Sequence, residues 1–145
     1  MTEFAVSVQV RSYEVDANGH LNYLVYLQFG DHARTAHLRA AGCPLAKLRG
    51  NGLALVMLEV QVHFHVELVE DDEVEVTSRF EFGPGKTFTT AHDLRRPGSP
   101  VAAEIVAKLG LLDTASRRLA DDPAGRLAAV ADNIRALIPL AERDA

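Results

Sequence analysis

Cysteine, tryptophan and positive charge are scarce in this chain of 145 residues. Cys43 is the only cysteine, so neither an intramolecular disulfide nor a four-thiolate zinc site can form, and a reducing compartment is expected. Tryptophan is absent, and 20 Asp and Glu residues against 15 Lys and Arg residues give a formal net charge of −5. Because phosphate backbones are bound by basic surfaces, this balance argues against nucleic acid as the main ligand.

Long hydrophobic runs are missing as well. No stretch approaches the roughly 18 apolar residues that a membrane-spanning helix needs, and the N-terminus lacks a basic region followed by an apolar run. We therefore expect a cytoplasmic protein that does not contact a membrane. The length fits one domain over residues 1–145, and 48% apolar residues are ordinary for a soluble globular protein.

Hydrophobic periodicity predicts one strand, a long helix, four more strands and a terminal helix. A strand is predicted over 4–13, followed by a helix from an Asn22 cap to about Ala41, where Gly42 supplies a left-handed stop. The first half of this helix is apolar nearly all round, which is typical of a buried helix. A short helix or loop follows at about 45–51. The later strands are predicted at 53–69, 73–82, 86–94 and 101–112.

The C-terminal segment predicts a helix that begins at Asp121-Asp122-Pro123, an acidic cap followed by proline. Its apolar stripe consists of Leu127, Val130, Ala131, Ile134, Leu137 and Ile138. Strands joined by short turns pair antiparallel, and one apolar helix can cover the face of a single sheet. The predicted fold is therefore α+β, an antiparallel five-stranded sheet wrapped around a long central helix, with edges that a dimer can pair.

The polar residues of the chain are unusually concentrated just before the long helix. Asp16, Asn18, Gly19 and His20 lie between a predicted strand and the start of the buried helix. A helix N-terminus offers unpaired N–H groups, which a thioester carbonyl needs when its oxygen becomes an oxyanion. A nearby carboxylate can activate water or attack the carbonyl directly. The same residue types also favour turns and caps, so local chemistry leaves helix capping and an active site both open.

In element order and length, the chain resembles hot-dog-fold thioesterases of the 4-hydroxybenzoyl-CoA thioesterase type. The family carries an aspartate three residues before a glycine, and then a tyrosine, an acid and an arginine seven, twelve and fifteen residues after it. The matching residues here are Asp16, Gly19, Tyr26, Asp31 and Arg34. The stretch from Asp16 to Asn22 is also similar to the Asp-x-Asn-x-His-Val-Asn motif of plant acyl-carrier-protein thioesterases. One departure is Glu14, where many relatives have an aspartate.

The resemblance implies an acyl-CoA or acyl-carrier-protein thioester hydrolase with Asp16 as nucleophile or general base. The backbone N–H of Tyr23 would polarise the carbonyl, and Asn18 and His20 would orient water or Asp16. Asp31 is a further catalytic candidate, one helical turn from Arg34, with which an ion pair is expected. The substrate-binding candidates are Gly19, Asn22, Tyr26, Arg34, Lys86 and Thr87, of which the last two lie where such proteins often contact the pantetheine or nucleotide of coenzyme A.

The resemblance also implies what accompanies the chain. No metal and no cofactor are expected, because coenzyme A or an acyl carrier protein enters as part of the substrate. A homodimer or a homotetramer is the expected assembly. His63 and His65 share one face of a strand, but two ligands do not make a zinc site.

Two other functions remain open. Hot-dog enoyl-thioester hydratases use an Asp-x-Asn-Pro-x-His motif, whereas here Asp16 and His20 are four apart and Gly19 stands where proline would be, which disfavours hydration. A non-catalytic acyl-thioester-binding protein is the other alternative. Such a binder has no need for a carboxylate beside the carbonyl, and this disfavours it.

Overall fold

A computed structural model describes residues 3–138 and shows a curled antiparallel sheet around one long helix. The helices are α1 (Tyr23–Ala40), α2 (Leu45–Gly50) and α3 (Pro123–Val130), with 3-10 helices at Ser12–Glu14 and Ile134–Leu137. The strands are β1 (Ala5–Gln9), β2 (Leu53–Phe64), β3 (Glu73–Thr77), β4 (Arg79–Phe82), β5 (Thr87–Arg95), β6 (Ala103–Asp113) and β7 (Arg118–Leu119). Their order is β1-β3-β5-β6-β2, with β4 beside β5 and β7 beside β6, which confirms the predicted architecture.

Helix α1 begins and ends where its capping residues predict. The Asn22 side chain accepts a hydrogen bond from the Leu24 N–H at 3.0 Å, which satisfies one of the unpaired donors of the first turn. Gly42 follows the last turn with φ of +80°, a left-handed conformation that favours glycine. The start of α1 is therefore fixed by Asn22, which is itself one of the predicted site residues.

Two apolar clusters form the core on either side of the middle of α1. The first contains Leu38, Leu48 and Phe80 and joins the second half of α1 to α2 and the sheet. The second contains Phe29 and Ile105 and lies under the first half of α1. The helix start, with its predicted catalytic residues, thus rests on a packed apolar base.

A buried polar network joins α1 to β5. The Arg34 Nε donates to Thr90 Oγ1 at 3.2 Å, and its Nη1 lies 3.2 Å from Asp31 Oδ1, which is the ion pair that the sequence predicts. Its Nη2 lies 3.5 Å from His92 Nε2, and His92 Nδ1 lies 3.0 Å from the carbonyl oxygen of Thr77. Burial, reinforced by the charge of Arg34, lowers the pKa of His92 to about 4, so this imidazole is neutral at physiological pH.

The first strand is shorter than predicted. It ends at Gln9, and Ser12–Glu14 form a 3-10 turn instead of continuing the strand. The Glu14 carboxylate accepts a hydrogen bond from the N–H of Arg11 at 2.8 Å, so a local side chain satisfies a donor that a longer strand would use. Glu14 therefore shapes the chain before Asp16 through its contact with the Arg11 backbone.

Two other strand predictions also need correction. Strand β2 ends at Phe64 instead of residue 69, because the N–H groups of His65 and Val66 both converge on the Ala102 carbonyl. The predicted strand over 73–82 is divided into β3 and β4 at Ser78, whose N–H donates to the Phe4 carbonyl at 3.0 Å. The sheet consequently has five principal strands and two short additions.

The prediction of a single C-terminal helix is wrong. Helix α3 has the expected Asp122 cap and Pro123 start, but it stops at Val130, and Ala131 is extended. The N–H of Asn133 donates to the Ala41 carbonyl at 3.0 Å, so tertiary contact with the end of α1 replaces helix continuation. The remaining turn is the 3-10 helix, and the predicted stripe keeps only Leu127, Val130 and Leu137 buried.

Helix α1 is less buried in one chain than its composition predicts. Tyr23 and Leu24 are 66% and 53% exposed. Strand β2 lies at one edge of the sheet and has a series of exposed apolar side chains: Met57, Leu58, Val60 and Phe64. A single chain therefore leaves apolar surface uncovered at the start of α1 and along β2. None of the helices within residues 3–138 combines the length and hydropathy needed to cross a membrane.

Candidate active site

The segment from Val15 to Asn22 is a closed loop that leads directly into α1. The Asp16 N–H donates to the His20 carbonyl at 2.8 Å, and the Gly19 N–H donates to the Asp16 carbonyl at 3.0 Å. Gly19 has φ of +79°, a conformation that L side chains rarely adopt, so the turn explains the glycine of the motif. These bonds fix the backbone of Asp16 relative to the helix start.

The Asp16 carboxylate is held by its own loop. Its Oδ1 accepts hydrogen bonds from the N–H groups of Asn18 and His20, at 2.9 and 3.2 Å. Its Oδ2 receives no hydrogen bond from residues 3–138, and the residue is exposed. Since Asn22 caps α1, capping does not account for Asp16, which stabilises the loop with one oxygen and leaves the other available.

The first turn of α1 presents an unpaired donor. Asn22 uses its side chain on the Leu24 N–H, and its own N–H donates to the Glu14 carbonyl at 2.8 Å. The N–H of Tyr23 has no acceptor within the described part of the chain. Such a donor at the positive end of a helix can bind a carbonyl oxygen or an oxyanion.

His20 is directed to a residue that the sequence analysis missed. Its Nε2 lies 2.7 Å from Glu67 Oε2, and no hydrogen bond joins its ring to the Asp16 carboxylate. The two segments meet because the Leu21 N–H donates to the Leu68 carbonyl at 2.7 Å. Arg96 steadies the same segment by donating to the Glu67 carbonyl at 2.7 Å. No local pattern marks Glu67, since its role depends on a contact between distant parts of the chain.

These groups border one cleft, which we call the Asp16 cleft, with a volume of about 340 Å³. It is lined by Asp16, His20, Leu21, Tyr23, Tyr26, Phe64, His65, Val66 and Glu67. The rings of Tyr26 and Phe64 meet edge to face at 4.9 Å. Burial raises the pKa of Tyr26, and the charge of Asp16 adds to this effect, so the phenol keeps its proton.

The other predicted site residues lie elsewhere in the same chain. Asp31 and Arg34 border a second hollow of about 230 Å³ between α1, α2 and β2, which we call the Leu48 cavity. Its lining consists of Asp31, Arg34, Thr35, Leu45, Leu48, Arg49, Ala54, Leu55, Met57 and Leu109. The Asp16 cleft borders the Phe64 end of β2, whereas the Leu48 cavity borders the Leu55 end.

Lys86 and Thr87 also lie away from Asp16. Thr87 pairs with Gly110 of β6, which in turn pairs with Val56 of β2, at the Leu48-cavity end of the sheet. The structure thus brings Asp16, Asn18, Gly19, His20, Asn22, Tyr23 and Tyr26 together, and separates them from Asp31, Arg34, Lys86 and Thr87.

No group of three or more His, Cys, Asp or Glu side chains within residues 3–138 converges on a point where a metal ion could bind. Of the two strand histidines, His65 lies 3.6 Å from Glu104, and His63 is exposed.

Comparison with known proteins identifies the family. The model of the thioesterase-like superfamily matches residues 10–135. A relative from Aquifex aeolicus (strain VF5), named "Putative esterase", is 33% identical over 84 residues, which are 58% of this chain and 66% of that protein. The match therefore spans slightly less than two thirds of the relative's length.

Solved structures share the fold. A hypothetical protein from Aquifex aeolicus superposes with a TM-score of 0.78 at 26% identity, over 88% of this chain and 98% of that one. A 1,4-dihydroxy-2-naphthoyl-CoA thioesterase from Synechocystis superposes with a TM-score of 0.76 at 17% identity, over 89% and 96% of the two chains. The chain has the hot-dog fold and belongs to the thioesterase-like superfamily.

Proposed function

We propose that this chain hydrolyses acyl thioesters of coenzyme A or an acyl carrier protein at the Asp16 cleft. The observation that carries the proposal is that two groups beside one cleft have no hydrogen-bond partner among residues 3–138: the Oδ2 oxygen of Asp16 and the backbone N–H of Tyr23. A nucleophile or base next to an oxyanion donor is the minimum that thioester hydrolysis requires. Membership of the superfamily supports the same reaction class.

In the proposed reaction, the thioester carbonyl oxygen lies at the N–H of Tyr23, which stabilises the negative charge that develops there. Asp16 attacks the carbonyl carbon or removes a proton from the attacking water. His20 is held through Nε2 by Glu67, and its Nδ1 has no partner in residues 3–138, so Nδ1 and the Asn18 amide can orient water. In the general-base route the tetrahedral intermediate collapses, the C–S bond breaks, and the carrier thiolate takes up the proton that water gave to Asp16. In the nucleophilic route the C–S bond breaks to leave an acyl-aspartyl anhydride, and water then cleaves the anhydride to release the acid and restore Asp16, with its second proton passing to the thiolate. Neither route calls for a metal or redox cofactor.

The proposed active form is a homodimer that pairs β2 with β2 of a second copy. Strand β2 ends the sheet order, spans 12 residues and exposes Met57, Leu58, Val60 and Phe64. A long apolar edge strand is an aggregation hazard unless another element covers it. A twofold axis makes the same strand pair with itself antiparallel, which covers the edge on both copies at once. Association of two dimers would give the homotetramer.

Thiol release from a panel of aromatic and aliphatic acyl-CoAs tests the reaction, followed by the same acyl groups on a carrier protein. Steady release on at least one thioester is the expected result. Addition of water to a 2-enoyl thioester without thiol release would indicate a hydratase instead. Tight retention of acyl-CoA without either reaction would indicate a binding protein and overturn the proposal.

A further inference from the structure

Strand β1 forms the edge of the sheet opposite β2, and no strand of residues 3–138 pairs with its outer side. Its sequence over Ala5–Gln9 is Ala-Val-Ser-Val-Gln, with no charge and no proline, and its register with β3 is regular. Charged side chains, proline and bulges are the features that usually prevent an edge strand from pairing with another chain. Strand β1 therefore has none of these protections.

The backbone of β1 directs alternate residues towards this open side. Phe4 and Val10, at the two ends of the strand, both hydrogen-bond to residues that flank β3. Because the bonding direction alternates along an antiparallel ladder, the odd-numbered residues between them face away from β3. The N–H and C=O groups of Ala5, Ser7 and Gln9 therefore lie on the open edge, where a further strand could bond to them.

Two hollows flank this edge, one on each face of the sheet. The first has a volume of about 380 Å³ and is lined by β1 together with Arg11, Glu14, Gln28, Phe29 and His32. The second has a volume of about 360 Å³ and is lined by β1 and Glu73, which is exposed where its neighbour Val74 is buried, so it lies on the face away from α1. Since side chains of a strand alternate between the two faces, a strand added beside β1 would direct them into the two hollows in turn.

The charges that line the hollows favour basic side chains. Only 8% of Glu14 is exposed; its Oε1 accepts the Arg11 N–H at 2.8 Å, and its Oε2 receives no hydrogen bond from residues 3–138. The Oε1 of Glu73 accepts the Ser7 hydroxyl at 3.1 Å, and its Oε2 likewise has no donor in that part of the chain. Two carboxylates and one guanidinium thus line the hollows. A lysine in the first hollow would pack its stem on Phe29 and bring its ammonium to Glu14.

A second copy of this chain fits the β1 edge less well than a basic segment does. Paired with itself, β1 would present valine, serine and glutamine side chains to the hollows and no cation to Glu14 or Glu73. Each carboxylate would then lose hydration without gaining a partner, which is unfavourable. Charge complementarity therefore favours a segment of a different protein that carries lysine or arginine.

We propose that the β1 edge binds an extended segment of another protein with lysine or arginine at alternate positions. The segment adds to the sheet as a further strand: its backbone bonds to Ala5, Ser7 and Gln9, and its basic side chains lie in the hollows beside Glu14 and Glu73. A contact of this size buries less than about 1,200 Å², which is typical of transient complexes, so we expect micromolar affinity.

A fluorescent peptide of alternating threonine and lysine, long enough to span β1, is the probe. Fluorescence anisotropy with the full-length protein measures its binding, and we expect saturation in the micromolar range. The same peptide with N-methyl groups on two adjacent central residues keeps every charge but loses one donor on each of its edges, so it should bind about tenfold or more weakly. Replacement of every lysine by glutamate should abolish binding.

Two substitutions test the two parts of the contact. Ser7→Pro removes an N–H from the open edge and keeps the bonds to β3, so the folded variant should bind the peptide about tenfold or more weakly. Glu73→Gln removes one of the open carboxylates and should weaken binding by about threefold or more. The matched control is Glu81→Gln, the same change at an exposed position of β4 that lines neither hollow.

Amide hydrogen exchange of the wild-type protein gives a readout that needs no substitution. If the peptide adds as a strand, the N–H groups of Ser7 and Gln9 become hydrogen-bonded, and their exchange should slow by about tenfold or more at saturating peptide. Unchanged exchange of these two amides at saturation would refute strand addition.

The remaining outcomes also decide the inference. Absence of saturable binding by wild type would overturn it, and so would equal binding of the N-methylated peptide or by folded Ser7→Pro, which would indicate non-specific attraction to a chain of net charge −5. A wild-type tetramer that Ser7→Pro converts to a dimer in sedimentation equilibrium would assign the β1 edge to a second copy instead. None of these measurements uses thiol release, so the proposed function keeps its own separate test.

Discussion

His20 and Glu67 join the Asp16 loop to the segment that follows β2, with 2.7 Å between Nε2 of the imidazole and Oε2 of the carboxylate. Both side chains are about half exposed, so the contact contributes little to the free energy of unfolding. Its geometric effect is larger, because the contact fixes the ring orientation beside the Asp16 cleft. Arg96 holds the Glu67 carbonyl and Asp72, which keeps the acidic partner in place.

Replacement of Glu67 by Gln should lower kcat and leave KM nearly unchanged. Positioned acid–base groups contribute roughly 10²–10⁴-fold, so loss of orientation without loss of the imidazole should cost about tenfold or more. Steady-state kinetics on the best acyl-CoA measures the effect. Glu104→Gln is the matched control, because Glu104 forms the looser contact with His65 at 3.6 Å. Equal kcat in Glu67→Gln and wild type would remove Glu67 from the mechanism.

Arg34→Met should destabilise the fold by about 2–4 kcal/mol, because Thr90 and His92 lose a buried hydrogen-bonding partner. Urea unfolding of the purified protein gives the free energy of unfolding. Arg39→Met, at an exposed position of the same helix, is the control and should change stability by less than about 0.5 kcal/mol. Similar unfolding midpoints for the two variants would show that the network contributes little.

His92 should make stability depend on pH in the acidic range. Its pKa is lowered from 6.5 to about 4 in the folded chain, so between these values the unfolded chain binds a proton that the folded chain does not. The stabilising contribution is therefore complete above about pH 6.5 and is lost as the pH falls towards 4, by on the order of 3 kcal/mol.

Unfolding midpoints at pH 7.5, 6 and 4.5 measure this loss. His92→Gln should flatten the pH dependence in that window, although its stability at neutral pH is lower because buried hydrogen bonds are disturbed. His32→Gln changes an exposed histidine of α1 and should retain the wild-type slope. A wild-type slope in His92→Gln would assign the acid sensitivity to other groups.

Leu58→Lys should convert the proposed dimer into monomers. Leu58 is 47% exposed at the middle of β2, where a β-bulge interrupts the pairing with β6. A charge there would be buried without a partner in a β2-paired dimer. Sedimentation equilibrium of wild type, Leu58→Lys and the control Ala5→Lys, which alters the opposite sheet edge, separates the outcomes. A dimeric Leu58→Lys protein would contradict pairing through β2.

The helix starts and the end of α1 could be predicted from the sequence because they depend on short-range interactions. The Asn22 cap, the Gly42 stop and the Asp122-Pro123 helix start each depend on a few neighbouring residues, and each lies where the pattern indicates. The C-terminal helix failed where a distant contact prevailed, since Asn133 bonds to the end of α1. The apolar residues around the first half of α1 predicted a fully buried helix, but in a single chain Tyr23 remains exposed.

The candidate site likewise contains residues that a short motif predicts and residues that only contacts between distant segments bring in. Asp16, Gly19 and the start of α1 belong to one short segment, so the motif predicted their proximity. Glu67 was missed because its contact with His20 is created by strand-like pairing between distant segments, including the isolated bridge between His20 and Val69. The family resemblance made Asp31 and Arg34 candidate site residues together with Asp16. Within one chain, however, Asp31 and Arg34 line the Leu48 cavity, whereas Asp16 lines the other cleft.

The most direct test of the proposed mechanism is the kcat of Asp16→Asn on the best acyl-CoA, measured beside Asp71→Asn. Asp71 is exposed with φ of 70°, a conformation that asparagine tolerates, so the control carries the same chemical change away from the cleft. We expect kcat of folded Asp16→Asn to fall by about 10²-fold or more, in line with loss of a general base or nucleophile, and that of Asp71→Asn to match wild type. Wild-type kcat in a folded Asp16→Asn protein would contradict the assignment of Asp16 as the catalytic carboxylate.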